Sequence, residues 1–342
     1  MKKILFVVGC CLLLASCTTR FHTGADYKTV TVVYGLLSVN DSAHYIKITK
    51  GFYDENTDNR VIALNPDSLY FPNLDVTLQR LENGNPVENF PMQRVDLTLE
   101  GYPKLTGVFA SQPNYAYKVK QMLNPDKTYR LRIVNNDNGK VIEGETPLVS
   151  TATKNFQFVK PFNELESMEF SDENNPYLFR WKGPATATFY DVLIRFRYQE
   201  VDMNTNDTTY ITKDFPVARN VLYNSGEINT KITNIDFFKQ LNSALGAAPD
   251  YIKRYVDTPG VMIMGGGSAL KTYMDVNSVQ GGITFDQMKP NYTNLTGEDV
   301  YGILSTRGYV QIPQIRFSAN TVNAIISGPY TQSLHIVGIS GK

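Results

Sequence analysis

The residue with the most defined chemistry is Cys17, whose thiol can accept a lipid. It closes the tetrapeptide Leu14-Ala15-Ser16-Cys17, which follows a basic start and an apolar run over residues 4–14. A charged start, an apolar run and small residues at its end are typical of a secretory signal. This ending resembles the bacterial lipobox, in which the cysteine is acylated and becomes the mature N-terminus. We therefore predict a lipoprotein signal peptide over residues 1–17, with lipidation at Cys17.

Membrane attachment then depends on this lipid. The apolar run is shorter than the about 20 residues of a transmembrane helix, and no second run approaches that length. Cys10 and Cys11 leave with the signal, so no thiol remains in the mature chain for a disulfide. We expect a lipid-anchored protein of the outer membrane, on its periplasmic face or at the cell surface, joined to the lipid by a tether over residues 18–27.

A second chemical pattern is the match of Ser268-Ala269-Leu270-Lys271 to the S-x-x-K motif of penicillin-binding enzymes. In that motif the lysine helps to deprotonate the serine, at the start of a helix and beside K-T-G and S-D-N motifs. Neither partner motif is present, and Leu270 to Val276 alternate as in a strand. We interpret the match as chance, and the preceding glycines 265–267 as a flexible loop or tight turn.

Few histidines are available for catalysis or metal binding. The three histidines are His22, His44 and His335, and no H-E-x-x-H or other metal spacing occurs. A serine or cysteine nucleophile has no evident base. We predict a non-catalytic protein without metal or cofactor. An exported hydrolase that uses two carboxylates is the third function considered, because sequence cannot place such a pair.

Two acidic turns have partial calcium-loop patterns. Asp54 to Asp58 match the first half of such a loop, but Asn59 occupies the glycine position and Asn65 the place of the closing glutamate. Asp202 to Asn206 have the same character. An ordinary Asx-rich surface turn is the favoured interpretation of both.

Three tripeptides resemble the O-glycosylation signal of exported Bacteroidota proteins. They are Asp41-Ser42-Ala43, Asp67-Ser68-Leu69 and Asp207-Thr208-Thr209, which we place in turns or at strand edges. A glycan could be accommodated there, so Ser42, Ser68 and Thr208 are candidate O-glycosylation sites.

Aromatic residues in loop-like stretches are the remaining candidates for binding. They are Phe52-Tyr53, Tyr70-Phe71 and Tyr292. Such rings either stack on sugars or protein partners, or pack beneath their own loops, and packing is the more frequent outcome.

Composition and length set the fold class. A chain of 342 residues exceeds the size at which a single core stops growing, which favours two domains. The 21 tyrosines and 18 phenylalanines favour β-structure. Lysine plus arginine equals aspartate plus glutamate at 33 each, so no net charge attracts nucleic acid.

Alternating apolar residues predict a first β-sandwich over residues 28–149. The clearest strand has Tyr129, Leu131 and Ile133 on one face and arginines on the other. Turn signals such as Asn83-Gly84 separate such strands. Six or so short strands are typical of a sandwich, and a small polar linker follows at residues 150–154.

A second sandwich is predicted over residues 155–342, where Trp181, a proline turn and Tyr190-Asp191-Val192 resemble a fibronectin type III or immunoglobulin-like pattern. We expect a mainly helical insertion near residues 230–297. Its first helix begins at the capping box Thr233 to Asp236, and a very short helix begins at Thr284. The predicted buried face of the first helix comprises Ile235, Phe238, Leu241 and Leu245, with Gly246 at its end.

Three segments together resemble a known family: residues 33–37 running into 45–48, Leu123 to Leu131, and Tyr301 to Ser305. With the lipobox, they make the chain similar to the Bacteroidota outer-membrane lipoproteins of the domain-of-unknown-function 4249 type. The resemblance implies an immunoglobulin-like first domain, a fibronectin-like second domain and association with TonB-dependent (SusC-like) transporters. It implies no catalytic residues. Thr18-Thr19-Arg20 depart from the acidic residues that often mark surface export in these bacteria, so both membrane faces stay open.

These observations favour a non-catalytic envelope lipoprotein that acts as an accessory or ligand-binding module with a TonB-dependent transporter. Its ligand would be a glycan or a peptide, and its membrane contact the lipid anchor. The alternative is a fimbrillin-like pilus subunit or adhesin, in which Arg20 marks a proteolytic trim and a terminal strand detaches for donor-strand assembly.

Overall fold

Strands far outnumber helices in the computed structural model, which describes residues 30–51, 59–223, 226–278 and 292–339. Cys17, the aromatic pair at 52–53, the acidic turn at 54–58 and the short helix expected at Thr284 lie outside the described residues. Among the described helices, none is both long and apolar enough to cross a membrane.

The elements follow one another with strands in most positions. The strands are β1 (Val30–Ser38), β2 (Ala43–Gly51), β3 (Leu74–Glu82), β4 (Asn85–Pro91), β5 (Gln93–Asp96), β6 (Tyr115–Lys120), β7 (Thr128–Asn135), β8 (Val141–Pro147), β9 (Gln157–Lys160), β10 (Ser167–Met168), β11 (Tyr177–Lys182), β12 (Phe189–Asp202), β13 (Thr208–Leu222), β14 (Glu227–Ile232), β15 (Ile252–Val256), β16 (Gly260–Gly266), β17 (Leu295–Thr296), β18 (Val300–Ile312), β19 (Arg316–Phe317) and β20 (Ile336–Ile339). The helices are α1 (Asn59–Ala63), α2 (Pro66–Leu69), α3 (Asn234–Leu245), α4 (Ser268–Ser278) and α5 (Ala319–Ser327), with a 3-10 turn at Gln332–Leu334.

The strands form one large sheet and three smaller ones. The 10-stranded sheet has the order β20-β15-β12-β16-β18-β1-β2-β6-β5, with β13 paired to β12. The 5-stranded sheet has the order β17-β8-β7-β3-β4, and the two others are β14-β11-β9 and β10-β19. The fold is therefore mainly β, as predicted.

The alternating pattern places the strands correctly where one face is buried. Tyr129, Leu131 and Ile133 of β7 are buried at 1%, 0% and 2% exposure, which confirms their predicted inward face. Asn83 and Gly84 both adopt positive φ, at 50° and 79°, and join β3 to β4 as a tight hairpin.

The buried hydrophobic side chains form two cores, and the two cores differ in composition. The aliphatic core, formed chiefly by residues 33–148, contains mostly valine, leucine and isoleucine. The aromatic core, formed by residues 149–336, contains rings such as Phe170 and Phe237, which stack at a centroid distance of 3.9 Å.

Strand β18 serves both cores. Its first half pairs with β1 in parallel, from Thr31↔Val300 to Ser38↔Arg307. Val300 and Leu304 belong to the aliphatic core, whereas Ile312 belongs to the aromatic core. Leu295 of β17 also joins the aliphatic core, so this core includes residues that the sequence analysis assigns to the second sandwich.

The expected helical insertion over residues 230–297 is not confirmed. The range contains α3 and α4, but β15 and β16 also fall within it and belong to the largest sheet. The predicted strand from Leu270 to Val276 is wrong, because these residues lie in α4.

The interpretation of glycines 265–267 as a loop is wrong for the first two, which lie in β16. A Cβ on Gly266 would come 2.3 Å from the Phe189 ring, and one on Gly265 would come 3.1 Å from the Tyr190 ring. These glycines leave room for large rings on the neighbouring strand β12.

Helix α3 begins as predicted. The Thr233 hydroxyl accepts a hydrogen bond from the Asp236 amide at 3.1 Å and donates one to the Asp236 carboxylate at 2.7 Å. Gly246 ends the helix at φ 70°. The inclusion of Ile235 in the buried face is wrong: it is 45% exposed, and Phe237 is buried instead at 0%.

Candidate functional site

The strands that contribute to the aliphatic core have two ends, and these carry different surfaces. At one end, which we call the β1 end, β1 begins at Val30, β2 finishes at Gly51 and β6 begins at Tyr115. At the other, the far end, β7 begins at Thr128 and β8 finishes at Pro147. Thr31 at the start of β1 lines one cavity with Asn135 at the end of β7 and with Lys140 just before β8, so the start of β7 and the end of β8 lie at the opposite end.

A long loop leaves the sheet at the β1 end, between β5 and β6 (residues 97–114, the β5–β6 loop). Its two ends are closed by the Asp96 carboxylate, which accepts hydrogen bonds from the amides of Thr98 at 2.9 Å and Asn114 at 3.2 Å. The Leu97 amide also donates to the Asn114 carbonyl at 2.9 Å. The hydrogen bond from Thr98, above other causes, lowers the pKa of Asp96.

Lys47 on β2 holds the base of this loop. Its ammonium group donates to Asn114 Oδ1 at 2.6 Å and to the Tyr70 hydroxyl at 3.2 Å. The Asn114 amide in turn donates to the Tyr102 carbonyl at 3.2 Å. Burial, with a smaller contribution from the Lys104 charge, lowers the pKa of Lys47 to about 8.

A second group of polar contacts secures the first turn of the loop. Glu100 accepts a hydrogen bond from the Tyr45 hydroxyl at 3.1 Å and forms an ion pair with Lys118. Lys118 also donates a hydrogen bond to Glu100. This bond, first among several causes, lowers the pKa of Glu100. The Tyr45 and Tyr102 rings meet edge to face at 5.7 Å. The base of the loop is thus polar and held by several side-chain hydrogen bonds.

The tip of the loop is apolar and faces solvent. Leu99 and Leu105 are each 88% exposed. We call the exposed set Leu99, Tyr102, Leu105, Val108 and Phe109 the apolar tip. Helix α1 lies beside it, because the Ala110 amide donates to the Ala63 carbonyl at 2.8 Å, and the adjoining Val61 and Leu64 are exposed as well.

The concentration of exposed apolar side chains in this region is unusual for the molecule. Residues 61–64 and 99–109 hold seven of the twenty-two large hydrophobic side chains that are exposed among the described residues. Exposed apolar side chains that are concentrated in neighbouring segments mark an interaction surface more often than scattered single residues do.

The far end carries a cleft of about 820 Å³, which lies between the two cores. Its polar wall includes Lys127, Lys154 and Lys182, against Asp126 and Glu227. Lys127 pairs with Glu82 at 2.9 Å and Glu227 pairs with Arg180 at 3.3 Å. No ion pair of Lys154 or Lys182 is found among the described residues.

The S-x-x-K segment does begin a helix, since α4 starts at Ser268. The strand argument against this motif therefore fails, although the partner motifs are still missing from the sequence. Lys271 forms an ion pair with Asp275, one turn along the same helix. The Ser305 hydroxyl accepts a hydrogen bond from the Leu270 amide at 3.0 Å, so the start of α4 is fixed to β18.

The histidines lie apart. His44 is buried, its Nε2 lies 3.0 Å from the Gln121 carbonyl, and burial lowers its pKa. His335 lies near Pro249 and Asp250. Within the described ranges, no group of three or more histidine, cysteine, aspartate or glutamate side chains is arranged to hold a metal ion.

The three candidate glycosylation residues fall in different settings. Ser42 is exposed in the turn between β1 and β2, and Thr208 is exposed at the start of β13. Ser68 is half-buried in α2, so its expected place in a turn or at a strand edge is wrong. The three residues do not form one site.

Of the aromatic residues considered for binding, Tyr70 and Phe71 are buried at 6% and 7% exposure, which confirms packing for this pair. Tyr292 is half-buried. Asp202 accepts hydrogen bonds from the amides of Asn204 and Thr205, as expected of an Asx turn between β12 and β13.

Sequence reasoning missed the apolar tip. Its residues lie in a stretch with glycine and proline and without helix or strand period, which reads as a loop. Leucines and a phenylalanine inside such an aperiodic stretch were a signal, but exposure cannot be derived from them alone.

Comparison with known proteins identifies no relative by sequence: no protein-family model and no curated protein matches the chain. Solved structures that resemble it include the C-terminal globular domain of an oligosaccharyltransferase from Pyrococcus abyssi, at 9% identity and a TM-score of 0.20. That alignment covers 81% of this chain and 45% of the other, so the chain spans less than half of that structure. CBD12 from CALX1.2 matches at 8% identity and a TM-score of 0.19, over 81% of this chain and 99% of the other.

Proposed function

We propose that the chain is a non-catalytic, lipid-anchored lipoprotein of the bacterial outer membrane, which acts as an accessory or ligand-binding module of a TonB-dependent transporter. The observation that carries the proposal is the lipobox Leu14-Ala15-Ser16-Cys17 at the end of a secretory signal. The two cores are compatible with an immunoglobulin-like and a fibronectin-like sandwich that share β18.

The anchor is tested by labelling cells with palmitate. The wild-type chain should take up the label, and a Cys17→Ala variant should not, because only a thiol accepts the diacylglycerol. Equal labelling of the two chains would overturn the proposal.

The accessory role is tested by crosslinking in outer membranes. We expect the wild-type chain to crosslink to a TonB-dependent transporter. A wild-type chain that crosslinks to no protein there would count against the accessory role.

The far-end cleft is the proposed ligand site, and its chemistry favours an anionic glycan or an acidic peptide. Lys154 and Lys182 are exposed on its wall and present ammonium groups without a described ion pair. Such groups bind carboxylates at little desolvation cost, since they are already close to water.

Calorimetric titration with oligogalacturonate and with a short polyglutamate peptide tests the cleft. We expect binding of at least one probe, weakened by about tenfold in a Lys154→Ala/Lys182→Ala double variant and by raised salt. Lys213→Ala, which changes an exposed lysine on β13, is the matched control. Equal loss in the control would mean that attraction is diffuse and that the cleft is not the site.

Glycosylation at Ser42, Ser68 or Thr208 is a further part of the proposal. Ser42 and Thr208 are the more accessible hydroxyls, so we expect a glycan there before Ser68. Glycopeptide mass spectrometry of the chain from its native host measures this order.

The pilus alternative is less favoured for the amino-terminal strand, whereas β20, the last described strand, does lie at an edge of the largest sheet. Donor-strand assembly needs a terminal strand that can detach, yet β1 lies between β2 and β18 in the largest sheet. Arg20 precedes β1 in the sequence, so cleavage there removes no described strand. We expect the chain trimmed at Arg20 to remain free of ladders and filaments in native electrophoresis.

A further inference from the structure

We infer that the apolar tip of the β5–β6 loop enters the interface of the phospholipid bilayer to which the chain is anchored. The inference rests on the proposed lipid anchor and adds a second, non-covalent contact with the same membrane. It assigns the β1 end to the bilayer and leaves the far-end cleft directed away from it.

The first ground is the position of the loop. The chain enters the fold at Val30, which pairs with Gly51. The β5–β6 loop emerges between Asp96 and Tyr115, which pair with each other, and β6 runs antiparallel to β2. The loop and the entry of the chain therefore lie at one end of the same sheet.

The second ground is the length of chain between the anchor and the fold. Residues 18–29 separate Cys17 from Val30, and about 12 extended residues reach at most about 40 Å. A folded unit on so short a tether keeps its attached end near the bilayer surface. The apolar tip therefore stays within reach of the membrane.

The third ground is the character of the loop itself. Leu99 and Leu105 project at 88% exposure, while the Asp96, Lys47 and Glu100 contacts fix the base from which they project. A fixed polar base keeps these leucines from folding back onto the protein. Their apolar surface stays in water unless something covers it.

Residues at the rim of the tip suit the interface between water and lipid. Tyr102 and Phe109 belong to the tip, and aromatic rings favour this depth of the membrane. Lys104 donates to the Ala110 carbonyl at 3.0 Å and lies 5.3 Å from the Phe109 ring centre. An ammonium group beside apolar residues can stay at the level of the headgroups while its stem enters the apolar region.

A bilayer fits these observations better than a protein partner does. The tether keeps this end close to lipid whatever protein is present, and exposed apolar side chains on a loop need no register with a complementary surface to enter a bilayer. Protein interfaces require tight shape complementarity, and a projecting tip of this kind does not need it to enter lipid.

The experiment uses the acylated full-length chain in vesicles of phosphatidylethanolamine and phosphatidylglycerol, with and without lipids brominated on their acyl chains. A Leu105→Trp variant places an indole at the tip. Met203→Trp is the matched control: Met203 is also exposed, at 52%, but lies in the turn between β12 and β13. That turn points away from the β1 end, because β12 runs in the same direction as β18. The native Trp181 is buried at 0% exposure and is subtracted as a common background.

We expect the emission of the indole at position 105 to shift to the blue and to be quenched by brominated lipid, whereas the indole at position 203 is unchanged. In a chain that begins at Thr18, and therefore lacks both the apolar signal and the lipid, Leu99→Ser/Leu105→Ser should lower partitioning into vesicles by at least about tenfold, since two leucines no longer leave water. Because the surface is chiefly apolar, removal of phosphatidylglycerol should change this partitioning little.

The outcomes separate the two proposals. A wild-type chain that carries no lipid and does not remain with the vesicles contradicts the anchor. An anchored chain in which positions 105 and 203 respond alike overturns the inference while the anchor stands. Protection of position 105 only when a transporter is added would assign the tip to a protein partner and would also overturn it.

Discussion

The aliphatic and aromatic cores solve the same packing problem with different side chains. Among its buried residues, the aliphatic core contains three aromatic rings, whereas the aromatic core contains eleven. In the aliphatic core, alternating valine, leucine and isoleucine residues of paired strands face one another. In the aromatic core, rings such as Phe170, Phe237 and Phe317 contact each other across elements that are distant in sequence.

The difference shows how far a core can be traced from local pattern. β-Branched and leucine side chains of one strand share a period of two, which is visible in the sequence. Large rings fill space that other residues must leave open, as Gly265 and Gly266 do for Tyr190 and Phe189. This matching of a large ring with a glycine on a neighbouring strand joins residues that are distant in sequence, so it has no sequence period. Strand β18 makes the two cores interdependent, and this can be tested by substitution.

The largest effect is expected from Gly302→Ala in β18. Gly302 has φ 98°, and an added Cβ would lie 1.9 Å from the Val33 carbonyl oxygen. Backbone must then move at the parallel pairing with β1, so we expect a loss of at least about 5 kcal/mol in the free energy of unfolding. Urea denaturation followed by circular dichroism measures it.

Gly84→Ala is the control for that substitution. Gly84 also has positive φ, at 79°, but no atom lies within 4 Å of an added Cβ. It should cost only about 1–2 kcal/mol, from backbone strain. Similar losses in both variants would show that the contact with Val33 is unimportant.

The next largest effects compare the cores directly. Phe237→Ala should lower the free energy of unfolding by about 3–5 kcal/mol, and Leu131→Ala by about 2–5 kcal/mol, because both side chains are buried at 0% exposure. Since β18 belongs to both cores, each variant should retain a single transition by Trp181 fluorescence and by far-ultraviolet circular dichroism. Two separated transitions would show that the cores unfold independently.

A smaller, pH-dependent effect is expected at the base of the β5–β6 loop. The pKa of Lys47 is lowered to about 8 in the folded chain, so between pH 8 and its usual 10.5 the unfolded chain holds a proton that the folded chain has released. Stability relative to Lys47→Gln should therefore rise with pH across this window, by about 1 kcal/mol after solvent screening. Below about pH 7 the difference should be constant, which chemical denaturation at several pH values can check. A difference that falls between pH 8 and 10 would contradict the assignment.

The smallest effect is expected at the apolar tip. Leu105→Ser should change the free energy of unfolding by less than about 0.5 kcal/mol, because an 88% exposed side chain contributes little to the core. Thermal unfolding of the chain that begins at Thr18 measures this. A loss above about 2 kcal/mol would mean that the tip packs against the fold.

Much of the mainly β fold could be predicted from the sequence. The clearest strands, β2, β7 and β12, each bury alternate residues over most of their length. Helix α3 is predicted by the capping box Thr233 to Asp236 and by the spacing of Phe238, Leu241 and Leu245, and the hydrogen bonds of its cap are local. Such elements are legible because their determinants lie within a few residues of each other.

Other elements depend on contacts that no local pattern contains. Leu270, Thr272, Met274 and Val276 alternate by coincidence, while the helix that they form is fixed at its start by Ser305, far along the chain. The parallel pairing of β1 with β18 likewise has no local signature. The apolar tip was missed for a related reason, since exposure is a property of the folded surface.

The pairing of β1 with β18 also has a consequence for the export that we propose. Asn40 exchanges two hydrogen bonds with the backbone of Tyr309, a separation of 269 residues. A chain that threads through a membrane from its amino end cannot complete its first sandwich until nearly all of it has crossed, because the closing strand arrives last. Under the proposed export, the aliphatic core is therefore completed only after residues 300–312 have been delivered.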